Sequence, residues 1–358
     1  MSAKMQILID EGMSTYKYPT GIGLHAINLY THLSKISNCT ITNYTFFKYF
    51  PKGFRKLSID AFINIIHPFR NYNIIHYQNN FVPFSKGKSK KVVTIHDLGV
   101  FLYPGTVPYI YIQYNRHSIK KSLERADGII TPSQSVKNEI LNMFGKHYED
   151  KVYVCFDGIR DIFFSVTPTI QQLNKYNLTP YSYYFFLGSL SKRKNTEFLL
   201  KVFIKAKKEK IIDNNTLLVL GGYKWWGSSE FEELINMENG ILSLGYVADE
   251  DIPALYRYSR AFVFPSIYEG FGMPIIEAMS QNVPIIISDI PTSIELNKRH
   301  NNQMKVFELN NEDSLIGTLR EVEVNNEDIR NNLDYGDLSV YNYENIAKEH
   351  LNIYKSLS

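Results

Sequence analysis

Two carboxylates eight positions apart bracket a glycine-rich string, Glu269-Gly270-Phe271-Gly272-Met273-Pro274-Ile275-Ile276-Glu277. The strand-like run Ala261–Phe264 precedes it, and a helical pattern starts at Pro274, which suits the first helical position because its missing N–H costs nothing there. The glycines let backbone amides approach a ligand closely. The amides of Gly272 and Met273 then sit at a helix N-terminus, a natural site for an anion. Glu277 lies one turn into the helix and Glu269 at the loop entrance, so one carboxylate can take the hydroxyls of a sugar and the other those of a ribose. An acidic pair alone would read as an ordinary helix start; the whole string favours the ligand reading. A second segment, Gly188-Ser189-Leu190-Ser191-Lys192-Arg193-Lys194-Asn195, follows the run Tyr184–Leu187. Three cations between a strand and a helix suit a diphosphate, where the plainer alternative is a solvated basic turn.

Other patterns carry less. Gly21-Ile22-Gly23-Leu24-His25-Ala26 fits G-x-G-x-x-A, but ten residues, Glu11 to Thr20, separate it from the first strand, and no acidic residue ends a second strand near Thr40–Phe47. A dinucleotide fingerprint needs both. Asp249-Glu250-Asp251 spells D-x-D, yet it precedes the amphipathic run Ile252–Ser259 and reads as an acidic helix start. No metal site is expected. His96-Asp97, taken alone, reads as a core pair or a turn.

These loops need a scaffold, and the hydrophobic pattern supplies one. Gln6–Ile9, Ile74–His76, Val92–Ile95, Gly128–Thr131 and Val152–Phe156 read as buried strands, with helical patterns at Gly23–Leu33 and Tyr114–Arg125. The rhythm restarts with strands at Tyr184–Leu187, Leu217–Leu220, Ser243–Leu244, Ala261–Phe264 and Pro284–Ile287 and helices at Lys194–Ala206, Asp251–Ser259 and Pro274–Ser280. This predicts an α/β protein of two Rossmann-like, doubly wound domains facing across a cleft. In such sheets ligands bind beyond the carboxyl ends of the strands. The N-terminal domain is expected over 1–165 and the C-terminal one over 166–340, with the hinge in the weakly periodic stretch Ser165–Tyr181. A final helix over 341–358 presents Tyr343, Ile346, Ala347, Leu351 and Tyr354 on one face. Spacing leaves open whether it packs on its own domain or crosses back to the first.

With 358 residues, two cores are the natural expectation. The two cysteines, Cys39 and Cys155, form neither a disulfide framework nor a zinc motif. A reduced, cytoplasmic compartment is the expectation. The run Met5–Asp10 is too short for a signal peptide, and no later apolar stretch approaches the ~18 residues of a membrane span. Charge is lopsided: residues 1–165 hold 20 Lys and Arg against 11 Asp and Glu, net +9, while the remainder holds 19 against 25, net −6. The first half therefore suits an anionic partner. Its Phe46–Lys56 stretch mixes aromatics with cations, and Lys86-Gly87-Lys88-Ser89-Lys90-Lys91 adds more. The plainer reading of that mixture is a solvated loop and strand edge; the functional one is reversible docking on anionic lipid, with no nucleic acid expected.

The chain resembles the retaining glycosyltransferases of family 4, whose signature is E-x7-E. The resemblance runs through Gly21-Ile22-Gly23, Thr94-Ile95-His96-Asp97-Leu98, Arg125-Ala126-Asp127, Thr131-Pro132-Ser133, Asp157-Gly158, Gly188 to Asn195, Leu244-Gly245-Tyr246-Val247 and Glu269 to Glu277. It implies the GT-B fold and a nucleotide-diphosphate sugar, UDP- or GDP-linked, as donor substrate with no cofactor. Glu277 would bind the donor ribose, and Glu269 the transferred sugar with amides from Phe271 to Met273 and the adjoining Gly270. Arg193 and Lys194, beside Gly188 and Ser189, would hold the diphosphate. Tyr246 and Val247 would flank the base, the Gly21–Gly23 loop would close over the diphosphate, and His96 would lie near the transferred sugar. Many members carry Arg where Ser189 stands, and Arg193 takes its place in the subgroup reading Arg-Lys-Asn; Asp157 stands where Asn is usual. The implied acceptor is a glycan on polyprenyl diphosphate, in O-antigen or capsule assembly at the inner face of the cytoplasmic membrane. A nucleotide-sugar epimerase, which would make no glycoside, and a non-catalytic sugar-nucleotide-binding subunit are the competing readings.

Overall fold

The computed structural model describes residues 4–10, 21–36, 39–43, 72–82, 88–106, 109–223 and 232–358. The chain forms two compact units. The first comprises Met1–Pro104, Pro108–Gly158 and Ser339–Ser358, the second Gly105–Val107 and Ile159–Leu338.

In the first unit, strands β1 (Met5–Asp10), β2 (Cys39–Asn43), β3 (Ile74–Tyr77), β4 (Lys90–Thr94), β5 (Gly128–Thr131) and β6 (Val152–Val154) form a parallel sheet in the order β2-β1-β3-β4-β5-β6. Its helices are α1 (Gly21–Ser34), α2 (Gly99–Leu102), α3 (Tyr109–Arg125) and α4 (Gln134–Phe144). Because side chains alternate along a strand, Leu8, Ile75, Val93 and Ile129 pack with Ile119, Leu123, Val136 and Ile140. Ile7, Ile9, Ile74, Val92 and Ile130 enter the other layer, with Leu29 and Leu33 of α1. Burial on both faces explains why these strands read as continuous apolar runs.

The second unit repeats the scheme with β7 (Tyr183–Leu187), β8 (Leu217–Gly221), β9 (Ile241–Gly245), β10 (Ala261–Phe264), β11 (Ile285–Ser288) and β12 (Lys305–Phe307). Its helices are α5 (Ile162–Ser165), α6 (Thr196–Lys208), α7 (Ile252–Arg257), α8 (Met273–Ser280), α9 (Pro291–Arg299) and α10 (Glu312–Asn331). The parallel order β12-β11-β10-β7-β8-β9 places β7 beside β10, where successive crossovers run in opposite directions. Loops after those two strands diverge there, at the topological switch point where ligands bind in such sheets. One layer packs Tyr184, Phe186, Leu218 and Leu220 against Leu199, Phe203, Leu315 and Leu319. In the other, the Tyr256 ring meets Phe185 and Phe262 edge-on at 5.2 and 5.0 Å.

Three expectations change. The division between units falls after Gly158, seven residues before 165/166. The intervening stretch belongs to the second unit: Tyr258 donates to the Pro168 carbonyl at 3.1 Å, and Gln172 to that of Glu250 at 2.7 Å. The weakly periodic stretch holds a 3-10 helix over Ile170–Tyr176, whose three-residue turn leaves no 3.6-residue signature. Second, α8 begins at Met273, with Pro274 second. Third, Gly21–Gly23 form the first turn of α1 and not a loop.

The last helix, α11 (Tyr343–Leu357), packs within the first unit, its Tyr343, Ile346, Ala347, Leu351 and Tyr354 all buried against β1, β3, β4 and α1. A Cβ at Gly158 would fall 2.7 Å from the Tyr343 ring, so this close approach requires glycine. The aromatic and basic stretch Phe46–Lys56 and Lys86 lie outside the described residues. Of the neighbouring cations, Lys90 pairs with Asp127 at 3.5 Å, and that carboxylate also accepts the Lys91 backbone N–H at 2.9 Å. Among the described residues no helix is long and apolar enough to cross a membrane.

Candidate active site

In the second unit the loops after β7 and β10 are laced together. The Ile267 N–H donates to the Arg193 carbonyl at 2.9 Å, and Arg193 Nη1 donates to the Tyr268 carbonyl at 3.1 Å. Asn195, in the left-handed region with φ 55°, precedes α6 without a side-chain capping bond and instead reaches Asn310 through its side-chain amide at 3.0 Å. Leu190 N–H donates to the Tyr223 carbonyl at 2.8 Å, holding the other side of the Gly188 loop. Gly222 runs so close that a Cβ there would collide with the Gly188 carbonyl oxygen.

This lacing joins three of the expected residues. Lys194 Nζ lies 2.7 Å from Glu269 Oε1, and Arg193 Nη1 donates to Glu269 Oε2 at 3.1 Å. Lys194 is buried, its ammonium 5.0 Å from the centre of the Phe264 ring and its stem against Gly188. Burial alone would raise the Glu269 carboxyl; the two cations outweigh it and hold it below the ordinary glutamate range. Thr292 Oγ1 donates to the Glu269 carbonyl at 3.2 Å, fixing the backbone. Gly270 and Phe271 are buried, and Gly272, with φ 115°, caps α8 in a conformation that favours glycine. Ser189 and Ser191 hydroxyls stand 3.5 Å apart in the same loop.

Glu277, also buried, sits in a second charged group. Arg160 Nε donates to its Oε1 at 2.7 Å, and the Tyr256 hydroxyl stands 3.5 Å from Oε2. The other arm of Arg160, Nη1, donates to Asp249 Oδ1 at 2.7 Å. Here burial wins: the Glu277 carboxyl is raised above the ordinary value despite Arg160. Burial pulls the Arg160 guanidinium down, but Glu277 and Asp249 more than reverse it. Tyr246, half exposed, stacks on Tyr223 at 5.7 Å between ring centres, and Val247, next in the same loop, is buried.

The D-x-D triplet is committed elsewhere, though not as a simple acidic helix start. Asp249 holds Arg160, while buried Asp251 takes Lys175 Nζ at 2.9 and 3.0 Å and the Tyr176 hydroxyl at 2.8 Å without capping α7 through its side chain.

In the first unit His96 is buried, with Nε2 3.1 Å from the Gln78 carbonyl oxygen, and Asp97 accepts the Gly99 N–H at 2.9 Å at the start of α2. Burial lowers the His96 pKa, opposed by Asp157. Gly23 is buried in the first turn of α1 and Gly21 exposed there. Two positions on, His25 Nδ1 stands 3.0 Å from Asp157 Oδ1 and its ring lies 5.8 Å from His96. Sequence reasoning passes over Arg160, Tyr256, Gly222 and His25. Arg160 offered the best signal, a cation two residues after Asp157-Gly158, but its partners are 89 and 117 positions away.

Two parallel, doubly wound six-stranded units in one chain define the GT-B fold. The family model "Glycosyl transferases group 1" matches residues 170–336, and "Glycosyltransferase Family 4" matches residues 22–161. The chain belongs to these family 4 type, group 1 glycosyltransferases. It is 32% identical over 253 residues to O-antigen chain mannosyltransferase B of Escherichia coli, a match covering 67% of this chain and 65% of that one. It is 29% identical to O-antigen chain mannosyltransferase RfbU of Salmonella typhimurium, over 65% of this chain and 61% of that one. The matched part thus spans under two thirds of those relatives. Sucrose-phosphate synthase from Thermosynechococcus elongatus shares the fold, with a TM-score of 0.78 over 99% of both chains at 17% identity.

Proposed function

We propose that the chain is a retaining glycosyltransferase that moves a hexose from a UDP- or GDP-sugar to a glycan carried on polyprenyl diphosphate, in O-antigen or capsule assembly. The observation that carries this reading is the Arg193–Glu269–Lys194 cluster at the point where the β7 and β10 loops part. Two cations fixed beside a carboxylate suit a diphosphate bearing a sugar. As the glycosidic bond breaks, charge grows on the leaving diphosphate, and Arg193 and Lys194 stabilise it. They supply the positive charge without a metal ion. Glu269 orients the sugar hydroxyls, Glu277 takes the ribose hydroxyls, and Tyr246 and Val247 flank the base. The acceptor hydroxyl attacks from the face the diphosphate leaves, and the departing diphosphate takes its proton, so no protein nucleophile is invoked. The relatives' names favour mannose as the first sugar to try. The enzyme would work in the cytoplasm, docked on the inner face of the membrane through its basic N-terminal half.

The test begins with thermal shifts of UDP, GDP, dTDP and ADP on wild type and Glu277→Ala, since a ligand of the native state raises apparent stability. One nucleotide should stabilise wild type and lose its effect in the variant. The matching nucleotide sugars, incubated with lipid-linked glycan in excess EDTA, should then give a glycoside of unchanged anomeric configuration. A new nucleotide sugar with no glycoside would mean an epimerase. Stabilisation by a nucleotide with neither product would mean a non-catalytic sugar-nucleotide-binding subunit, and no stabilisation by any nucleotide would overturn the donor-site reading.

A further inference from the structure

The Arg160 guanidinium divides its two arms between two carboxylates. Nε donates to Glu277 Oε1 and Nη1 to Asp249 Oδ1, each at 2.7 Å. Arg160 is 7% exposed and its guanidinium lies 5.1 Å from the Phe163 ring centre, so packing as well as charge fixes it. Glu277 is 3% exposed, while the Asp249 side chain is about half exposed. Asp249 stands four residues after Gly245, in the loop that carries Tyr246 and Val247. All of these residues belong to the second unit.

We infer that Arg160 is a positioning residue for nucleoside diphosphate recognition: it aims the buried Glu277 carboxyl at the ribose diol, favours its charged form, and through Asp249 ties the base-flanking loop to it. This rests on the reading of Glu277 as the ribose ligand.

The physical case is direct. A carboxylate accepts from both hydroxyls of a vicinal diol only when ionised; protonated, it turns one acceptor into a donor. Burial works against ionisation of Glu277, and Asp249, a second anion nearby, works the same way. Arg160 and the Tyr256 hydroxyl oppose them, and Arg160 alone brings a full charge. Arg160 takes one bond on Oε1 and Tyr256 only a long one, 3.5 Å, on Oε2, so both oxygens keep acceptor capacity for a ligand. A bidentate clamp would have covered both oxygens. The second arm is spent on Asp249, which fixes the rotation of the guanidinium plane and restrains residues 245–249.

The experiment measures dissociation constants by calorimetry from pH 5.5 to 9. The probe is UDP or GDP, whichever wild type binds more tightly, against the matching 2′,3′-dideoxynucleoside diphosphate. Wild type should prefer the ribonucleotide at least about tenfold, the size of hydrogen bonds to a charged group. Glu277→Gln should abolish that preference at every pH; if it does not, the ribose reading itself is wrong, whatever Arg160 does. Arg160→Gln should weaken the preference most at the acid end of that range and recover part of it at the alkaline end, as the unassisted carboxyl ionises. Arg160→Lys should hold the charge without the tether and retain an intermediate preference. Asp249→Asn, which leaves no buried charge unpaired, should fold normally and reduce the preference a few-fold. Equal, pH-independent loss of both nucleotides in Arg160→Gln, or an unchanged preference in Asp249→Asn, overturns the proposal.

Discussion

Lys194 Nζ sits 2.7 Å from Glu269 Oε1, and both side chains are nine-tenths buried. Neither charge is stable at that depth alone, so each residue is in part the condition for the other. The pair spans the loops that follow neighbouring strands β7 and β10, and it couples the basic loop to the acidic one.

Glu269→Gln should therefore change stability and activity together. With two cations left without their anion, we expect a loss of about 3 kcal/mol in unfolding free energy and roughly 10²–10³-fold in transfer rate. Urea unfolding and initial-rate assays measure the two. Because the folded carboxyl titrates below its unfolded value, its contribution is complete above about pH 5 and fades as pH falls through the lower folded value. The variant should lack that acid-side fall.

The first unit should lose stability on acidification for the opposite reason. His25, His76, His96 and His350 are buried and close: His76 to His350 is 5.7 Å and His25 to His350 6.1 Å between ring centres. Burial lowers all four, His25 to about 4 and His350 to about 3, with neighbouring rings lowering His76, His96 and His350 further. The unfolded chain binds protons first, near pH 6.5, so their contribution is full above that value and declines below it. The slope is up to about 1.4 kcal/mol per pH unit for each histidine. Denaturant midpoints at pH 5, 6 and 7.5 should show the decline, and His350→Gln should flatten it.

Gly222→Ala should be severe for a small change. Its φ is 131°, and its Cβ would strike the Gly188 carbonyl oxygen. A melting temperature lower by several degrees and weakened nucleotide binding are expected, with a cost on the order of 3 kcal/mol. Gly317→Ala, where a Cβ meets nothing on α10, should be neutral or slightly stabilising.

Tyr354→Phe tests how firmly α11 is held. The Tyr354 hydroxyl meets His76 Nδ1 at 2.6 Å, and His76 Nε2 meets Thr94 Oγ1 at 2.8 Å, both buried. Removing the hydroxyl should cost about 1–2 kcal/mol, read as a shift in thermal unfolding, and should speed amide exchange along α11.

Much of this was legible in the sequence because the strands are buried on both faces. Gly128–Thr131 and Ala261–Phe264 read from composition alone with the ends that the structure gives them. Strand β12 did not, because it is three residues long and only Phe307 is buried. The glycine and proline punctuation around Glu269 and Glu277 marks a loop and helix start whatever the ligand. Arg160, His25, His76 and His350 were illegible for a different reason. Their meaning lies in partners brought from remote parts of the chain, and a lone Arg or His carries no period. Gly222 looked like one of many glycines; only the neighbouring backbone shows why a side chain fails there.

The chain leaves the first unit after Gly158 and returns at Ser339, so helix α11 is made only after the whole of Ile159–Leu338. On the ribosome, at roughly 5–20 residues per second, that interval is on the order of ten seconds or more. Throughout it, Ile7, Ile74, Val92 and Ile130 wait without the helix that covers them in the finished protein. The second unit can fold as it emerges, while the first is completed only after its insert. The nascent chain should therefore be a client for chaperones that shield apolar surface, and an expression strain rich in them should raise its soluble yield.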